Sequence, residues 1–182
     1  MEITKDELNI SLVIRSWVRV TQYAMLDAIR YSEAWRESIP LIAGSAASGG
    51  IERARVERIM AWMWDALGDI AVLAAVPADA RQAWNHMLVE RTSEAARYAH
   101  YACAGANLDA VYAAAEAARY AAYAAAEAAY TPAGANPYAD YAAYAAEAVR
   151  AVRAVRATDA ARADYWDRRD PAGLLAELVA LR

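Results

Sequence analysis

The phrase EAARYAHYA at 94–102 returns almost letter for letter as EAARYAAYA at 116–124. Wound at about 100° per residue, the run 108–130 around the second copy separates into two faces. Tyr112, Tyr123 and Tyr130 fall within about 20° of one another, and Glu116, Arg119 and Glu127 lie on the same side. The opposite face is Ala110, Ala114, Ala117, Ala118, Ala121, Ala125 and Ala128. A face with nothing larger than a methyl group lets a neighbouring helix approach to the lower end of the roughly 8–10 Å packing range. The other face offers aromatic rings with polar tips, and Glu116–Tyr120 and Tyr123–Glu127 are neighbours one turn apart. The phrase therefore predicts a thin helix, bald on one side and aromatic on the other.

Composition extends this helical reading to the whole chain. At 182 residues the length suits one domain, 1–182, with enough surface to bury a core. Strand-forming residues are few, Phe is absent, and the chain holds only 7 Gly and 5 Pro, so the expected class is all-α. The formal net charge of −4 argues against a general nucleic-acid surface. Nearly all basic residues are Arg, with Lys5 the lone lysine. Cys103 is also alone, which excludes a disulfide framework and fits a reduced cytoplasm; its YACAG setting suits a buried structural thiol. The opening MEITKDELN lacks the pattern of a signal peptide, and no uncharged apolar run reaches the length of a membrane span.

A single-domain bundle of five or six helices is expected. The first runs from Asp6 to about Glu37, with Ile10, Val13, Ile14, Trp17, Val20, Ala24, Ala28 and Tyr31 at helical spacing, and Pro40 closes it. LIAGSAASGG at 41–50 reads as a flexible loop within the domain. The second helix, 51 to about 75, carries Val56, Ile59, Met60, Met63, Trp64, Leu67, Ile70 and Leu73 behind a solvated basic start, RARVER. A third helix follows Pro77, with Asp79 in its first turn, and runs through Trp84, Met87, Leu88, Arg91 and Ala95 to about Ala104. AGAN then occurs at 104–107 and again at 133–136. Gly105 and Gly134 suit helix stops, and Asn107 and Asn136 suit helix starts. These stops delimit a fourth helix over 108–130 and a fifth over 137–167, joined through TPAGANP as an Ala-rich antiparallel hairpin. DPAG at 170–173 caps a short last helix, LLAELVAL.

Chemistry is sparse. His86 stands one turn from Glu90 with Glu94 a turn further, but the Glu-x-x-His pattern of carboxylate-bridged metal bundles does not occur, and structural or surface roles are expected for His86 and His100. No nucleophile elbow, phosphate loop, dinucleotide fingerprint or zinc spacing is present. The Asp65–Asp69 pair reads as a solvated edge rather than an acid–base couple. No metal, no cofactor and no enzymatic role are expected. RAVRAVRATDAAR at 150–162 places Arg150, Arg153 and Arg156 along a basic ridge beside Val149, Val152 and Val155. Tyr165, Trp166, Arg168 and Arg169 could extend that ridge toward an anionic partner. The expected binding residues are Tyr112, Arg119, Tyr120 and Tyr123 of the fourth helix with Arg150, Arg153 and Arg156 of the fifth, since Tyr and Arg are favoured where partners bind.

From about Trp84 to Arg156, AWNHMLVERTSEAARYAHYACAG and AEAARYAAYAAAEAAY resemble the Ala-rich helical immunity proteins of bacterial polymorphic toxin systems, and similar phrases occur in small phage proteins. The resemblance implies a small cytoplasmic protein that neutralises or inhibits another protein, a toxin or a host factor. Two other readings stand beside it. One is a helical binder that holds an anionic or nucleotide-like small molecule with Tyr and Arg side chains. The other is a structural homo-oligomer.

Overall fold

A computed structural model describes residues 9–104, 109–129, 137–154 and 159–181. The described chain is all-helical: α1 (Leu12–Ala24), α2 (Asp27–Arg30), α3 (Glu33–Ser38), a 3-10 turn (Ile39–Ile42), α4 (Gly49–Leu67), α5 (Ile70–Ala75), α6 (Arg81–Glu90), α7 (Ser93–Cys103), α8 (Asp109–Ala129), α9 (Pro137–Ala154), α10 (Asp159–Arg169) and α11 (Pro171–Ala180). The long α8 packs between α7 and α9. In turn α9 packs against α1 and α4, and α6 packs against α7.

Three expected helices are broken where a side chain or backbone donor offers a better use of the chain. The first ends at Met25, whose extended backbone begins a bend before α2. The Arg30 guanidinium donates to the Met25 carbonyl at 3.1 Å, and the Ser32 hydroxyl accepts from Trp35 N–H at 3.3 Å to start α3. The bend returns Trp35 to the core, edge-on to Trp17 at 6.2 Å, and leaves Ala28 and Tyr31 outside it. The second helix stops at Gly68, so α5 is separate. The third begins only at Arg81, with Asp79 in the preceding turn, and breaks at Arg91, which takes φ 54°. Thr92 then caps α7 by accepting from Ala95 N–H at 3.2 Å. The predicted fifth helix is helical on both sides of 155–158, over α9 and α10, and 155–158 lie outside the described residues. So are 105–108 and 130–136, on which the expected Gly stops and Asn starts fall.

The core has a heavy end and a light end. At the heavy end Trp17 meets Trp35 and, at 5.6 Å, Trp62, among Ile14, Ile59, Met63 and Leu67. Each such large side chain contributes about 1.5–3 kcal/mol by leaving water. At the light end every alanine from 113 to 125 is buried. This includes Ala114, Ala117, Ala118, Ala121 and Ala125 of the predicted bald face, and it adds Ala113, Ala115, Ala122 and Ala124. The buried arc of α8 is thus wider than predicted, because helices flank it on both sides.

One buried cation closes the heavy end. The RARVER start of α4 is not uniformly solvated: Arg55 is buried, and its guanidinium donates to four acceptors. These are the Leu178 and Leu181 carbonyls at 2.8 Å each, the Ser45 carbonyl at 2.6 Å and Glu52 Oε1 at 2.8 Å. The other Glu52 oxygen accepts from the Ser11 hydroxyl at 2.7 Å, and Ser11 caps α1. A helix leaves its last carbonyls without intrahelical donors. Arg55 supplies them for α11 and ties the start of α1 to the loop at 43–48, shorter than the expected 41–50 because 41–42 belong to the 3-10 turn and 49–50 open α4. The other end of α11 is capped as the DPAG motif predicts, with Asp170 accepting from Gly173 N–H at 2.9 Å and Pro171 in the first turn. Leu174, Leu175 and Leu178 are buried.

Two substitutions test this packing. Ala121→Leu forces extra volume into a fully buried methyl site and is expected to destabilise by roughly 1–3 kcal/mol, read as a lowered melting temperature. Arg55→Ala strands Glu52 and three carbonyls without their donor and is expected to cost about 3–5 kcal/mol in denaturant unfolding. A loss below 1 kcal/mol would remove the closing role assigned to this side chain.

Candidate functional site

The two copies of the repeated phrase lie on adjacent packed helices, α7 and α8, and bury the same small positions. Ala95, Ala96, Ala99 and Cys103 are buried in the first copy and its continuation. Their counterparts Ala117, Ala118, Ala121 and Ala125 are buried in the second. Glu94, Arg97, Tyr98 and Tyr101 point outward from α7, and Glu116, Arg119, Tyr120 and Tyr123 occupy the outward or half-buried positions of α8. Because the inward positions accept only small side chains, the larger groups of the phrase are exposed or half-buried, with Tyr120 packing partly against the core.

On α8 the predicted residues come together. Tyr112 is 66% and Tyr123 44% exposed, and Tyr120 is half-buried. Between them the Arg119 guanidinium lies 4.7 Å from the Tyr120 ring centre and 5.7 Å from that of Tyr123, within cation–π range. It also donates to Glu116 at 2.5 Å. That bond, with the Tyr123 hydroxyl adding to it, raises the Arg119 pKa further above its ordinary value, so the group is a permanent cation. The sequence reading missed a contributor from α9: Tyr144 meets Tyr123 with ring centres 5.5 Å apart. Tyr144 stands three positions before Glu147, a spacing that a helical wheel of α9 would have exposed.

The predicted Arg ridge is only partly in view. Arg150 is exposed and is hydrogen-bonded to Glu147 of its own helix. The side chain of Arg153 and the whole of Arg156 lie outside what is described. The extension of the ridge to 165–169 is corrected. Tyr165 and Trp166 are core residues, and Arg168 and Arg169 turn toward Asp69 at 3.5 and 3.8 Å. Asp69 itself is buried rather than part of a solvated edge, while Asp65 is exposed.

The remaining chemistry-bearing residues are quiet. His86 is exposed, and His100 is half-buried with Nδ1 2.9 Å from the Ala115 carbonyl, so this nitrogen carries the proton and donates. Burial pushes the Cys103 thiol up to about 11, with the Asp79 charge adding to the effect, so at neutral pH it is protonated and a poor nucleophile. Among the described residues no group of three or more His, Cys, Asp or Glu side chains could hold a metal. None of the described helices is long and apolar enough to cross a membrane. Cavities of about 370, 330 and 500 Å³ are lined around Ser45 and Arg55, around Val76 and Trp84, and around Arg58 and Arg168, away from the tyrosine stripe.

No family model matches the chain, and no curated protein or solved structure does so either.

Proposed function

We propose that the chain is a non-catalytic, cytoplasmic protein-binding module that neutralises or inhibits another protein, in the manner of an immunity protein against a toxin or a phage inhibitor against a host factor. The observation that carries this reading is the α8 stripe, in which Tyr112, Tyr120, Tyr123 and Arg119 stand on a helix whose other faces are buried alanine. Tyr and Arg dominate the energetic centres of protein interfaces, and Tyr supplies a large contact area with few rotatable bonds. A backbone held on both flanks presents these side chains with little further entropy to lose on binding. Arg150 and the rest of the α9 ridge, Arg153 and Arg156, belong to the proposal as its second edge. So does an antiparallel α8–α9 hairpin, supported by the meeting of Tyr123 and Tyr144 at similar sequence distances from the 130–136 connection.

The small-molecule reading has less support. Arg119 and Arg150 are each engaged by a carboxylate on their own helix, which leaves less positive field for an anion or nucleotide. The cavities are lined by other residues.

Replacing Tyr120 and Tyr123 together with Ala separates a binding face from a core. Binding of the cognate protein, measured by calorimetry or co-purification from its own host, is expected to weaken by at least about 2 kcal/mol, the hot-spot scale. Helicity should be retained. If the double variant unfolds, or binds its partner as tightly as the parent, the assignment is wrong.

A further inference from the structure

The outward chemistry of α8 continues onto both neighbouring helices. His100 of α7 meets the carbonyl of Ala115, and Tyr144 of α9 meets the ring of Tyr123. Both α7 and α9 pack closely on α8, which lies between them, so a helix borders the α8 stripe on either side. Tyr98 and Tyr101 of α7 are 63% and 71% exposed. With Tyr112 and Tyr123 exposed on α8 and Tyr144 half-buried on α9, adjoining helices carry tyrosines near one another, and a concentration of exposed aromatic rings on a small protein marks an interaction site.

The charges on this surface have a common order. Each stripe carries Glu followed three residues later by Arg: Glu94 and Arg97, Glu116 and Arg119, Glu147 and Arg150. The last two couples are formed ion pairs, and both members of the first are exposed. A surface with that order complements itself. Laid face to face about a two-fold axis perpendicular to α8, a second copy runs its α8 antiparallel. Arg119 of each chain then stands over Glu116 of the other. An isologous contact requires this kind of reciprocity, with residue i meeting j and j meeting i. The parallel arrangement would set Glu against Glu and Arg against Arg, which is unfavourable.

We propose that a second copy of this chain covers the α7–α8–α9 face in the free protein, with the two α8 stripes antiparallel and the tyrosine rings between them. The proposal concerns the protein without its partner and stands independently of the inhibitory reading. If both hold, partner binding and self-association compete for one face.

Sedimentation equilibrium across a dilution series tests it, with circular dichroism to show that each variant is folded. The parent is expected to rise from the mass of one chain toward twice that mass. Arg119→Glu places carboxylates against carboxylates and is expected to remain a single chain. The exchange variant Glu116→Arg with Arg119→Glu restores the antiparallel match, so it should self-associate again yet fail to mix with the parent. A parent that stays at one chain mass throughout the series would overturn the proposal. So would self-association of Arg119→Glu as strong as the parent's, or an exchange variant that pairs freely with the parent. A single-chain parent that still loses its partner on Tyr120/Tyr123 replacement would sink the self-association alone and leave the inhibitory reading in place.

Discussion

The close approach of α8 to its neighbours, made possible by alanine, sets the terms for this half of the molecule. A helix bordered by others must bury most of its circumference, and side chains of ordinary size would push those neighbours outward. The alanines from 113 to 125 remove the obstacle. The arrangement costs volume, since methyl groups bury little apolar area each. It also costs chemical variety, since everything larger must leave by the narrow stripe that remains. Tyr112, Glu116, Arg119, Tyr120 and Tyr123 are gathered there as a result. Duplication of the phrase on α7 repeats the solution on the adjoining helix and widens the stripe into a surface.

The opposite end of the fold solves a different problem. The tryptophans supply the buried area that the alanine layer lacks, and Arg55 joins segments that are far apart in sequence. Its guanidinium spans Ser45, Glu52, Leu178 and Leu181, so the C-terminal helix and the 43–48 loop depend on one side chain. A buried charge of this kind adds little net stability over a well-packed apolar group, but removing it strands its partners. It therefore acts more as a device of placement than as a source of stability.

The sequence revealed those features that arise from periodicity. The all-α class, the helicity of 109–129 and its inward face of alanine follow from a pattern that repeats every turn and are read from the chain directly. The breaks at Met25 and Arg91 do not repeat. The cap residues that restart a helix after them, Ser32 for α3 and Thr92 for α7, sit within an apolar pattern that continues across each break. Arg55 was unreadable for another reason. In RARVER it is one of three arginines, and its burial is decided by carbonyls more than 120 positions away. Of the candidate site, Tyr112, Arg119, Tyr120 and Tyr123 were readable because they share one side of a wheel. Tyr144, Glu147 and Arg150 share a local helical spacing, but the meeting of Tyr144 with Tyr123 depended on how α9 turns against α8, which no local pattern in the sequence determines.

The claim beneath the whole account is that the repeated phrase turns alanine inward and tyrosine outward. Limited acetylation of tyrosine hydroxyls by N-acetylimidazole, mapped residue by residue by mass spectrometry on the dilute native protein, measures this directly. Tyr98, Tyr101, Tyr112 and Tyr123 should be modified early, while Tyr141 and Tyr165, both buried, should react only after unfolding. Protection of Tyr112 and Tyr123 together with early modification of Tyr141 would contradict the account, because the aromatic face would then be the core.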